Sequence, residues 1–237
     1  MGFTSRVVPR GVFFQSLYRS SYTYPVGKDL LSSATFNFIN PRHHIINTDR
    51  VSQIIPAKSV AGLSDEEILA LFTTGFFGGF IFRIESWLLR VWGARYLPAR
   101  YTGFRADAQA VVVRRPTAIP SQRLLPIGSL FFSSFLLVDK HISEPEKEPS
   151  SADETVNSYV DFGFGSDEAR FAGSHRFRVT RLPAATETTD AQVQIDLEHF
   201  RCNPQQNIPS LAERIQWFHF LYAKLLFANG IQAILKR

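Results

Sequence analysis

Cysteine is almost absent from this chain: Cys202 stands alone among 237 residues. A single thiol excludes an intramolecular disulfide and any thiolate-held metal cluster. Acidic residues are missing from the start, where none precedes Asp29 although Arg6, Arg10, Arg19 and Lys28 do. Long apolar runs are missing too. The uncharged stretches Ile68–Phe82 and Leu124–Val138 are fifteen residues each, short of the roughly 20 a bilayer span needs. Glycines interrupt the first, and Pro126 and Gly128 the second. Both are read as buried elements of a core rather than transmembrane spans. Peripheral membrane contact stays open for the first, an aromatic-rich stretch followed by Arg83 and Arg90,.

Several catalytic signatures are also missing. The G-x-G-x-x-G frame that starts at Gly163 fails at Glu168, and there is no P-loop, G-x-S-x-G or H-E-x-x-H,. This argues against the common nucleotide-dependent enzymes and serine hydrolases. No H-x-x-x-H or H-x-H spacing occurs, so the reading includes neither a metal nor a cofactor,. The net charge of +5 suggests nucleic acid, but Lys and Arg form no stripe and no binding module is recognisable,. Nucleic acid is therefore not an expected partner. The oligomeric state leaves no trace in the chain.

What is present is the composition of one ordinary globular domain, 45% hydrophobic and 20% charged,. Residues 1–60 read as an irregular segment packed on a single α+β ligand-binding domain spanning 61–237. The acid-free, Arg- and Ser-containing start resembles a mitochondrial presequence, but Pro9 and Gly11 interrupt any helix there. The expected location is the cytoplasm, with the mitochondrion as alternative.

Ser64 and Glu67 fit a capping box ahead of a helix running from Asp65 to about Thr74,. A second helix carries Phe77, Ile81, Ile84, Leu88 and Val91 at helical spacing and ends at Pro98,. The period then changes to two. Strands are expected at Phe104–Arg115, Leu130–Val138 and Tyr159–Gly165, with a long acidic loop over 139–158. Ser174–Thr180 and Ala191–Phe200 form the clearest pair. His175, Phe177 and Val179 share one face of the first, and Val193, Ile195, Leu197 and His199 one face of the second. The expected register sets Val179 opposite Val193, which leaves His175 and His199 as diagonal neighbours and puts Arg176 opposite Asp196 on the outer face. A last helix is expected from Ser210, with Leu211, Ile215, Phe218, Tyr222 and Leu225 in one stripe and Asn229–Gly230 as cap or kink.

The reading is thus α+β: two helices, a curved antiparallel sheet of about five strands, and a long C-terminal helix packed on it. This order, with YVDFGFGSDEARFAGSHRFRV and QVQIDLEHFRCNP, resembles the helix-grip fold of the START-like (SRPBCC) superfamily, in an uncharacterised branch. The resemblance implies a cavity between sheet and helix and a hydrophobic ligand such as a lipid, polyketide or terpenoid. The twenty-two phenylalanines suit the wall of such a cavity, and equally a solid core.

Within that frame His175 and His199 point to one apolar side, where neutral imidazoles suit general acid–base work. His219, beside the Phe218 stripe, either joins them or lies on flanking surface. Tyr159 and Asp161 share a strand face and are read with Phe177, Phe218, His219 and Tyr222 as ligand-binding residues. The functional expectation is a cofactor-free enzyme that cyclises, isomerises or dehydrates a hydrophobic small molecule. The alternatives are a non-catalytic lipid or metabolite carrier, and a mitochondrial accessory protein.

Overall fold

The computed structural model describes residues 11–84, 98–143, 157–183, 191–209 and 216–237, the last stretch with side chains from His219 onward. Its centre is a curved, unclosed, eight-stranded sheet that is antiparallel except for one short pair. In chain order the elements are α1 (Val12–Arg19), β1 (Ser21–Thr23), α2 (Lys28–Leu31), α3 (Ala34–Ile39), β2 (Ile46–Pro56), α4 (Asp65–Gly78), β3 (Val112–Val113), β4 (Leu130–Phe131), β5 (Phe135–His141), β6 (Asn157–Gly165), β7 (Ala172–Leu182), β8 (Gln192–Cys202) and α5 (Gln216–Leu235). The strand order is β1-β2-β8-β7-β6-β5-β4-β3.

Two expectations about the early chain are corrected here. Among the described residues, 11–60 are not irregular: β2 pairs with β8 along eleven residues and is a central strand. Its alternation is hard to see in INTDRVSQIIP because the face it turns to the core carries Asp49 and Gln53 between Val51 and Ile55. The strand expected over Phe104–Arg115 shrinks to Val112–Val113. Small residues there offer little to bury, and the Asp107 carboxylate instead accepts a hydrogen bond from the Ile127 N–H at 3.0 Å, tying two loop segments together.

The hairpin of β7 and β8 has the expected faces but a register shifted by two. His175 lies directly opposite His199, Phe177 opposite Leu197 and Arg176 opposite Glu198. An even shift keeps every side chain on its side. The third strand explains the shift, because Arg176 also faces Asp161 on β6 and bonds it bidentately. The sheet side called outer is not outer, since Arg176 and Arg178 are buried there.

The sheet is thus covered on both faces. On one, the capping box of Ser64 and Glu67 starts α4, and α4 and α5 pack over Val51, Val160, Phe162, Phe177, Val179, Ile195 and Leu197. The two helices cross at glycines. A Cβ on Gly75 would fall 2.7 Å from the Ala233 Cβ, and one on Gly230 would strike the Phe72 ring. Gly230 therefore neither caps nor kinks α5, which runs through it to Leu235. On the other face Val26, Leu30, Phe36 and Ile39 cover Phe200, Cys202 and Ala172.

The run Asp65–Ile84 is long and apolar enough, by length and composition, to cross a membrane, and half of its most apolar window is buried inside the fold. The far part of the second expected helix, the acidic loop from 144 and the helix start at Ser210 lie outside the described residues.

Candidate functional site

One rung of the sheet collects the chemistry. Reading across β2, β8, β7 and β6, the residues in register are Asp49, His199, His175 and Phe162. All four belong to the face under α4 and α5, because β-strand side chains alternate. His219 enters from the first turns of α5. Its Nε2 lies 2.9 Å from Asp49 Oδ2, and the same oxygen lies 3.2 Å from His199 Nδ1. One carboxylate oxygen therefore joins two imidazoles from different parts of the chain.

The rings form a stack. Centroids are 4.7 Å apart for His199 and His219 and 5.0 Å for His175 and His199. Phe164 lies nearly parallel to His199 at 5.5 Å and 4.9 Å from His175, whose inner edge meets Phe76 at 5.7 Å. The stack leads from the phenyl core outward. His199 and Asp49 have side chains only 4% and 6% exposed, and His219 is 22% exposed. Tyr22 of β1 and Arg201 of β8 adjoin this end, and the Asp49 charge adds to burial in raising the Tyr22 hydroxyl above its ordinary value.

The electrostatics follow from burial in an apolar wall. Burial pushes His199 down to about 4, outweighing the attraction of Asp49. Burial also drives His175 well below the ordinary imidazole value, helped by the neighbouring imidazoles. Burial works to raise Asp49, but the two imidazoles outweigh it and hold the carboxyl far below its usual range. At neutral pH His199 is therefore a neutral imidazole beside the Asp49 carboxylate. A neutral His199 that donates from Nδ1 keeps Nε2 as an acceptor,. That arrangement fixes tautomers and suits proton transfer. Two polar atoms remain buried without a partner here, Asp49 Oδ1 and His175 Nδ1.

The remaining expected site residues fall elsewhere. Tyr159 and Asp161 lie on the opposite face of the sheet, away from the imidazoles. Asp161 is fully buried against Arg176, and the Tyr159 hydroxyl donates to Asp139 Oδ2 at 3.0 Å. Phe177 is a core ring between Phe72 and Phe76. Tyr222 is partly buried against the core, and the Phe218 side chain lies outside those described. Cys202 is buried, and burial pushes its thiol up to about 12, so it is not a nucleophile at neutral pH,. Asp49 escaped the sequence reading because it sits 150 residues from His199. The available signal was an acid on the apolar side of an alternating segment.

The opposite face carries an ion network. Asp29, Asp161, Asp196 and Glu198 meet Arg50, Arg176 and Arg178, four carboxylates against three guanidiniums. Burial pushes the Glu198 carboxyl up to about 7 despite Arg178, with Asp29 and Asp196 adding to the rise. The folded chain then holds a proton that the unfolded chain releases above about 4.5, so this group's contribution to stability falls as pH rises from about 4.5 to about 7,. The full effect is of order 3 kcal/mol. Glu198→Gln is expected to remove that slope. Urea melts of both proteins at pH 5 and pH 8 check it: the variant should gain on the parent at the higher pH, and a constant difference would refute the assignment.

Comparison with family models, with curated proteins and with solved structures finds no match.

Proposed function

We propose that this protein is an enzyme acting on a hydrophobic small molecule by proton transfer, in a cyclisation, isomerisation or dehydration. The observation that carries the reading is the single Asp49 carboxylate bonded to His199 and His219 on the buried sheet face under α4 and α5. Buried, perturbed and mutually oriented groups of this kind cluster at functional sites. The carboxylate fixes which nitrogen of each ring bears the proton, and the opposite nitrogen is left to exchange one with substrate. His175, stacked on His199 with a buried unpaired nitrogen, is the second proton carrier. The resemblance to START-like domains supports a lipid-, polyketide- or terpenoid-like substrate.

The phenylalanines bear on where such a substrate would lie. Phe72, Phe76, Phe77, Phe131, Phe162, Phe177 and Phe227 are all under 2% exposed and packed ring on ring. The described core under α4 is therefore filled, which favours a site at the His219 end of the stack over a deep storage cavity between helix and sheet. A carrier needs the larger enclosed volume.

Native mass spectrometry of the purified chain, followed by denaturing extraction, tests this reading. An apolar small molecule that is released on unfolding and chemically changed on incubation with fresh protein is the expected result. A molecule recovered unaltered would transfer the assignment to a carrier.

A further inference from the structure

Asp49, His199 and His219 do more than share a hydrogen bond. One donor atom from each residue lies within 4.8 Å of the others. The two measured separations from Asp49 Oδ2 are 2.9 and 3.2 Å. Zinc-type bonds of about 2.0–2.2 Å meeting at octahedral to tetrahedral angles place ligand atoms about 2.9–3.5 Å apart. Both imidazole-to-carboxylate separations therefore stand within the spacing a bound ion would impose, and the third donor pair lies within 4.8 Å.

We propose that these three residues form a binding site for a divalent first-row transition metal ion, with the remaining coordination positions open. Two imidazoles and one carboxylate on a single side of an ion are a donor set that suits such ions. The ligands come from three elements, β2, β8 and α5, of which two are adjacent paired strands. That framework holds the donors on rigid backbone, as a metal site requires.

Two further atoms point the same way. Asp49 Oδ1 is buried with no partner, and would supply a second carboxylate oxygen or receive a bond from metal-bound water. His175 Nδ1 is likewise buried and unpaired, in a ring stacked on His199 at 5.0 Å. Unpaired buried polar atoms are uncommon in folded proteins, and two at one cluster are the usual trace of a water or ligand held between them. His175 stacks on the ligand ring of His199 and lies outside the donor set.

This inference rests on the same cluster as the proton-transfer reading, and it changes what the imidazoles do. His199 and His219 would become ligands through the nitrogens that now face Asp49, with each ring's proton carried on its other nitrogen, and His175 would stay outside the donor set. It explains as well why the sequence shows no metal motif, since no two of the ligands are closer than twenty residues along the chain.

Full-length protein stripped with a chelator and titrated with Co²⁺ alone gives the test. One ion per chain is expected, with visible d–d absorption that Zn²⁺ displaces, and with a rise in Tm because the ion binds only the folded state. Asp49→Asn and His219→Ala, shown folded by circular dichroism, are expected to lose affinity by about 100-fold or more. His175→Phe should keep it within a few-fold. Absence of both the absorption and the Tm shift in the parent protein would overturn the proposal, as would binding that persists unchanged in the Asp49 and His219 variants. Loss of turnover in His199→Ala without any metal binding would leave proton transfer standing and remove the metal. Metal binding without turnover would do the reverse.

Discussion

Replacing Arg176 with methionine is expected to destabilise the protein by about 3–5 kcal/mol. The guanidinium makes two bonds of 2.7 Å to Asp161, one to each carboxylate oxygen, and lies 3.9 Å from the centre of the Tyr159 ring. Asp161 is fully buried, and its remaining surroundings belong to β5, β6, β7 and Thr35 of α3 rather than to water. Removing the cation leaves a carboxylate in low dielectric with no countercharge, and burial already works to raise that carboxyl,. The loss is therefore the penalty of an orphaned charge and not the worth of the pair. A double change, Arg176→Met with Asp161→Leu, is expected to recover most of it, because an apolar pair of similar size carries no desolvation cost. Urea melts of the two variants separate these cases. A single variant as stable as the parent, or a double variant worse than the single, would contradict the description of this face.

The second large effect is at Phe177. Its ring is fully buried, with centroids 4.9 Å from Phe72, 4.8 Å from Phe76 and 5.2 Å from Phe162. These neighbours come from α4 and β6, so the ring is where helix and sheet meet. Phe177→Ala is expected to cost about 3–5 kcal/mol through lost burial and the cavity left behind. Rings held in mutual contact cannot close that space by simple rotation, which places the cost toward the upper part of the range. Phe177→Leu keeps most of the volume and is expected to cost much less. Comparable midpoints for the alanine and leucine variants in denaturant would show that the interior is looser than the ring geometry implies.

These two positions also show what the sequence made legible. Strict alternation in Ser174–Thr180 and Ala191–Phe200 gave both faces of the hairpin, because side-chain direction in a strand depends only on parity. It could not give the register, which is settled by Asp161, a partner on a third strand. The capping box at Ser64 was legible because its bonds span three residues. β2 was not, since Asp49 and Gln53 on its buried side blur the hydrophobic period. The same fact hid the site. His175 and His199 were legible as companions on one apolar side, and His219 as a candidate third. The carboxylate that joins two of them is brought in by a strand pairing between residues 150 positions apart. Tyr159 and Asp161 were read as ligand-binding from the strand face they share, and the pairing of β6 with β7 places that face on the far side of the sheet from the histidines.

The proposed activity has a single requirement: the imidazole stack must act on a substrate. The direct measurement is to incubate the parent protein and a His175→Ala/His199→Ala double variant with a lipophilic cell extract, and to follow every component by chromatography and mass. The parent protein is expected to convert at least one apolar component to a product of equal mass or to one lighter by a water. The folded double variant should leave that component unchanged. Conversion by the double variant at the parent's rate, or no conversion by either protein, would contradict the assignment of this cluster as a working site.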